Sequence, residues 1–127
     1  MLAGKLGVSE AEEPAALPTI VLPEPVMNLV VRRMQLLADP LRVRLLLALQ
    51  EGEASVQQLA DTVGVEHRNA SRSLGELHRD GLLARRRDGT RALYSLADYT
   101  VCRQLGQMAE SVIARVEELH DIVLEND

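Results

Sequence analysis

The chain has no tryptophan and no phenylalanine; Tyr94 and Tyr99 are its aromatic side chains. Single-strand RNA and DNA binders stack bases on aromatic platforms, so that class is disfavoured, and the core must be built from Leu, Val, Ala and Met. One cysteine, Cys102, permits no internal disulfide and fits a reducing compartment. No apolar run approaches the ~20 residues that span a bilayer. The N-terminus carries Lys5 but no apolar stretch like a secretory leader. A cytoplasmic protein without a membrane partner is expected. No Gly-rich phosphate loop, no paired carboxylates in an evident cleft and no nucleophile beside a base can be found, so an enzyme is not expected.

Net charge over the 127 residues is −5, which by itself argues against nucleic acid. Its distribution argues the other way. Residues 67–91 hold seven arginines against three acids, a net +4, while the flanks 1–66 and 92–127 carry −4 and −5. A basic segment between acidic flanks marks a local anion-binding surface, although a merely solvated charged face has the same composition.

Four of the five prolines and Glu10, Glu12 and Glu13 lie in residues 1–25. Such proline density opposes helix, and residues 1–23 are expected to be a flexible arm, with a folded domain over 24–124 and a short tail at 125–127. From Val26, Met27, Val30, Val31, Met34 and Leu37 recur at helical spacing. Asp39-Pro40 stops that helix and starts another, Leu41 to about Gln50, apolar almost all round and therefore expected at the buried centre. Ser55-Val56-Gln57-Gln58 reads as a capping box for a short helix 56–63, closed by Gly64. A further helix runs from about Glu66 to Asp80, with Gly81 as its stop. A tight Gly turn before an arginine-rich helix outlines a helix-turn-helix. Leu82–Arg87 and Thr90–Leu96 then flank Asp88-Gly89, a hairpin signal. If those two residues form the turn, Arg86 faces Arg91 across the ribbon, a destabilising pair that an external polyanion would relieve.

The last helix is expected from Asp98, as N-cap, to about Leu124. Val101, Leu105, Met108, Val112, Val116, Leu119 and Val123 step along it by four or three residues, close to a heptad seam. So long a stripe exceeds what a small domain can bury. With Met27, Val30, Val31 and Met34 of the first helix it is expected to form a homodimer surface; an intramolecular helical hairpin is the alternative.

On the helix 66–80, Ala70, Leu74 and Leu77 form the inward stripe, and Arg68, Arg72 and Arg79 lie about 200° from it. His67, Arg68, Asn69, Ser71 and Arg72, at the N-terminal part, are assigned to base edges. Gln57, Arg79, Arg85, Arg86, Arg87 and Arg91 are assigned to phosphate or an adjacent minor groove. The expected partner is a double-stranded DNA operator.

Leu36-Leu37-Ala38-Asp39-Pro40-Leu41-Arg42-Val43-Arg44-Leu45-Leu46, Val56-x-x-Leu59-Ala60, Ser71-Arg72-x-Leu74-x-x-Leu77-x-x-x-Gly81-Leu82 and Arg87-Asp88-Gly89-Thr90-x-x-x-Tyr94-x-Leu96 together resemble the ArsR-type repressors, over about residues 27–120. The resemblance implies a mainly α winged helix-turn-helix, α1-α2-α3-α4-β-β-α5 with a small β-hairpin. It also implies dimerisation through the first and last helices and release of DNA on a signal. Two departures bear on that signal. Where many relatives carry a metal-binding Cys-x-Cys, this chain has Ser55 and Gln57, and neither is a thiolate. Of a second metal site on the last helix only Asp98 matches; Thr100, Ser111 and Ala114 hold the other positions. No metal site and no cofactor is therefore expected. Nickel or zinc would need a non-standard set such as Asp98, Cys102 and His120 across a dimer. The alternatives are a metal or thiol sensor near Cys102, with Cys102 otherwise a packed apolar residue, and an interaction module controlled by a regulatory partner protein. Ser73, where His is frequent, and the mid-helix Gly75 are further departures.

Overall fold

A computed structural model describes residues 19–125. Residues 1–18 of the expected arm and 126–127 of the expected tail lie outside the described residues. The described residues fall into two compact units, one of residues 21–102 and one that holds residues 103–125.

The first unit runs α1 (Glu24–Leu37), α2 (Pro40–Ala48), a 3-10 turn (Leu49–Glu51), β1 (Ala54–Ser55), α3 (Val56–Val63), α4 (His67–Arg79), β2 (Leu83–Asp88) and β3 (Arg91–Leu96). It ends in the first residues of α5 (Thr100–Glu125), whose remainder is the described helix of the second unit. The local signals act as their chemistry requires. Asp39 accepts from the Leu41 amide at 2.9 Å and Pro40 opens α2. Ser55 Oγ accepts from the Gln58 amide while Gln58 Oε1 accepts from the Ser55 amide, a complete capping box. Gly64 leaves α3 in the left-handed region at φ 76° and ψ 41°, which a residue without Cβ adopts freely. Asp98 Oδ1 accepts from the Thr100 amide at the start of α5.

Two expectations are corrected. The hairpin turn is Gly89-Thr90, one residue later than Asp88-Gly89, because Asp88 pairs with Arg91 in the ladder. Gly89 alone of the two turn residues has positive φ (64°), so the turn accepts a non-glycine second residue, as a II′ turn does and a I′ turn does not. The register shift places Arg86 opposite Leu93 and Arg91 opposite Asp88. No like-charge pair faces itself across the ribbon. The sheet also has a third strand: two-residue β1 pairs with β3 (Ala54 with Tyr94, Ser55 with Leu93), giving the order β1-β3-β2. A strand so short leaves no periodicity to read.

The core is aliphatic. Leu45, Leu46 and Leu49 are buried together with Leu59, Ala60, Ala70, Leu74, Leu77 and the sheet residues Leu83, Leu93 and Tyr94. The centre of that core is α2, but not all round: Leu47 is 43% exposed, and Leu41 and Val43 are half-buried. By contrast, α1 buries none of its 14 residues. Met27, Val30, Val31 and Met34 are exposed there, as are Met108, Val112, Val116 and Leu119 on α5. Val101, read from spacing as part of the same seam, is buried in the core and offers nothing to a second chain. Leu105 is half-buried.

Candidate nucleic-acid interface

The helix α4 is pinned by one face and free on the other. Ala70, Leu74 and Leu77 are fully buried and Ser73 nearly so. Each buried Leu contributes on the order of 1.5–3 kcal/mol of apolar transfer, enough to fix the rotation of a 13-residue helix. His67, Arg68, Ser71, Arg72 and Arg79 are exposed on the remaining surface, and Asn69 is half-buried. At its C-terminal end, Arg33 of α1 donates through Nε to Asp80 Oδ2 (2.8 Å) and through Nη2 to the Asp80 carbonyl (3.1 Å). A cation at that end also suits the helix dipole. Arg42 of α2 ion-pairs with Glu76 of α4 and donates to the Leu36 carbonyl of α1 at 3.0 Å, so one guanidinium joins three helices. Neither arginine was singled out from the sequence. Each lies outside the basic segment, and pairing across 34 or 47 residues leaves no local signal.

The exposed guanidinium groups of residues 67–91 divide into two sets. Arg72, Arg79, Arg85 and Arg87 form no ion pair among the described residues; Arg87 donates only to the Thr90 carbonyl, at 3.4 Å. Arg86, in contrast, donates twice to Glu53, from Nε to Oε2 at 2.7 Å and from Nη2 to Oε1 at 2.6 Å. That contact holds the Glu53 carboxyl below the usual carboxylate range, the hydrogen bond from Arg86 being the main cause, and raises Arg86 in turn. Arg91 lies 3.5 Å from Asp88 and Arg68 3.9 Å from Glu66. Arg86 thus joins β2 to the segment before β1 in the free protein.

Two clefts flank the exposed side of α4. One, of about 260 Å³, is lined by Ser55, Gln57, His67, Ser71, Arg87, Thr90 and Arg91 among others. It brings together side chains assigned from the sequence to base edges and to phosphate. Within it Gln57 Oε1 lies 3.0 Å from His67 Nδ1, and Gln57 Nε2 donates to Asp61 Oδ1 at 2.8 Å. The other, of about 270 Å³, sets Asn69, Arg72 and Ser73 beside Asp39, Arg42 and Glu76.

The family's Cys-x-Cys metal site does not fit these residues. The Ser55 hydroxyl is engaged as a helix cap and the Gln57 amide in two hydrogen bonds. Among the described residues no three His, Cys, Asp or Glu side chains come together to hold a metal ion. Cys102 is buried, its Sγ 3.8 Å from the Leu46 carbonyl, and burial pushes its thiol up, away from the reactive thiolate. His120 is exposed on α5.

A MarR family model matches residues 39–92, the stretch from the start of α2 into β3. An uncharacterized HTH-type transcriptional regulator of Mycobacterium tuberculosis, Rv0081, is 39% identical over 104 residues, which cover 81% of this chain and 90% of that one. The chain belongs to the winged helix-turn-helix transcriptional regulators. The crystal structure of Rv0081 superposes with a TM-score of 0.64 at 40% identity, covering 80% of this chain and 99% of that one. The solution structure of a homodimeric winged helix-turn-helix DNA-binding domain from Mycobacterium bovis, described as a possible ArsR-family transcriptional regulator, gives a TM-score of 0.62 at 30% identity, over 77% of this chain and 90% of its own. The AntR antimony-specific transcriptional repressor gives 0.69 at 26% identity, over 87% and 99%. The ArsR-type resemblance and the regulator reading stand with these relatives. No described helix is long and apolar enough to cross a membrane.

Proposed function

We propose that this regulator is a cytoplasmic repressor that binds a double-stranded DNA operator as a homodimer. The carrying observation is the division of α4: one face locked by Ala70, Leu74 and Leu77, the other presenting Arg72 and Arg79 without an ion pair among the described residues. In this reading His67, Arg68, Asn69, Ser71 and Arg72 meet base edges in the major groove. Gln57, Arg79, Arg85, Arg87 and Arg91 meet phosphate. The exposed apolar residues of α1 and α5 form the dimer surface, as the homodimeric Mycobacterium bovis domain supports. No resident metal or cofactor takes part.

Selection of bound duplexes from a random pool tests this. An inverted repeat with half-sites about one helical turn apart, bound with steep salt dependence, is the expected result. A chain that stays monomeric at micromolar concentration, or that shifts no duplex at low salt, would refute it. Operator affinity is expected to be unchanged by Ni(II) or Zn(II). A change of tenfold or more would instead favour a metal sensor with an unconventional site.

A further inference from the structure

The exposed His67 is the first residue of α4 and is held by a short relay that starts on α3. Gln57 Nε2 donates to Asp61 Oδ1 at 2.8 Å, and Gln57 Oε1 lies 3.0 Å from His67 Nδ1. The chemistry of the three groups admits one arrangement. A carboxylate only accepts, so the amide nitrogen of Gln57 must face Asp61. Its carbonyl oxygen then faces the imidazole, and it too only accepts. Nδ1 must therefore carry the hydrogen, and in the neutral ring Nε2 is left as a bare acceptor.

We propose that His67 is a specificity-determining residue, an Nε2 acceptor preset by Asp61 and Gln57 to take a hydrogen bond from an exocyclic amine, cytosine N4 or adenine N6, in the major groove. This deepens the DNA-binding reading and rests on it. In the major groove adenine and cytosine present an amine donor, whereas guanine O6 and N7 and thymine O4 are acceptors that a bare Nε2 would meet lone pair to lone pair. Toward the base, Gln57 and Asp61 act through His67 and are positioning residues; the second hydrogen of Gln57 Nε2 is the one that can meet phosphate. An α4 shifted by its core contacts would still carry a histidine, but the tautomer belongs to the relay.

The test has two independent readouts on the full chain. In the free protein, imidazole nitrogen NMR at a pH where His67 is neutral is expected to show the hydrogen on Nδ1. The variant Gln57→Lys, whose ammonium bonds to Asp61 and can only donate toward Nδ1, is expected to move it to Nε2. Duplex selection is then expected to give an A or C preference at one position of each half-site. His67→Ala should lower that preference by about tenfold while sparing the others, and Gln57→Lys should turn it toward G or T. A hydrogen on Nε2 in the unaltered protein overturns the relay. Selected sites identical for all three proteins overturn the base contact while leaving the DNA-binding reading intact. Failure to select any duplex overturns both.

Discussion

The recognition helix and the wing carry the same kind of side chain under opposite constraints. On α4, Arg72 and Arg79 stand on a helix whose other face is buried, and no acid pairs with them among the described residues. On the ribbon, Arg86 is held bidentate by Glu53 and Arg91 lies 3.5 Å from Asp88. The difference teaches that a count of arginines is a poor measure of charge available to a polyanion. The helix gets its rigidity from apolar packing and leaves Arg72 and Arg79 free, with Arg68 3.9 Å from Glu66. On the ribbon Arg85 and Arg87 are likewise unpaired among the described residues, and Arg86 and Arg91 are not. The ribbon is packed through Leu83, Leu93 and Tyr94, but β2 is exposed beyond Leu83, and there a cation, Arg86, makes the tie.

The sharpest break of that comparison removes the packing. Leu74→Ala, at a fully buried position, is expected to destabilise the fold by about 2–5 kcal/mol, measured by urea unfolding. Operator binding should weaken at temperatures where the fold still survives. An unchanged unfolding midpoint would mean that α4 is not held by this stripe. Next in size is Arg72→Ala, expected to cost about 1–3 kcal/mol of operator binding and to relax base preference at one position. Fold stability should stay within about 0.5 kcal/mol, because the side chain is exposed. Equal losses on specific and random duplexes would move Arg72 from base to phosphate.

The wing calls for a pair of variants. If Arg86 serves the free protein as a clamp and leaves phosphate to its neighbours, Arg86→Ala and Glu53→Gln should weaken DNA binding alike, since either breaks the tie. If instead Glu53 merely withholds a phosphate ligand, Glu53→Gln should tighten binding and steepen the salt slope by about one, while Arg86→Ala flattens it by about one. The clamp has a pH signature as well. The Glu53 carboxyl is held below its ordinary value of 4.5, chiefly by the hydrogen bond from Arg86. Its stabilising effect is therefore fully present above that value and is lost as pH falls through the lowered one. Wing amide signals followed by NMR on acidification should change only below the range where a free glutamate titrates.

How far these two regions could be read from sequence follows from where their information sits. For the helix-turn-helix it is local. Asp39-Pro40, the Ser55/Gln58 box and Gly64 each bias the backbone within four residues, and Ala70, Leu74 and Leu77 repeat at the helical period. Elements and faces were legible there almost to the residue. For the wing the information is partly distant. Asp88-Gly89 marked a turn, yet the register was settled one residue later, where the ladder pairs Asp88 with Arg91. The partner of Arg86 lies 33 residues away, and β1 is two residues long. Val101 went astray for a related reason: heptad spacing describes a helix face, but at the start of α5 that face is already covered by the core.

The smallest expected effect bears on Gly75, in the middle of α4. A Cβ built there would meet only Arg79 Nη1, at 3.5 Å, an ordinary contact with the end of a flexible side chain. Nothing in the free protein requires glycine, and glycine in a helix interior is less favourable than alanine by about 0.8–1 kcal/mol. Gly75→Ala is therefore expected to raise unfolding stability by up to about 1 kcal/mol. Its effect on operator binding separates two origins of the residue. Affinity unchanged or slightly improved would leave the glycine without a role on the DNA side. A loss of tenfold or more, with stability raised, would show that the duplex backbone approaches α4 at this turn too closely for a methyl group, and would mark the outward surface of the helix as a contact face as far as its third turn.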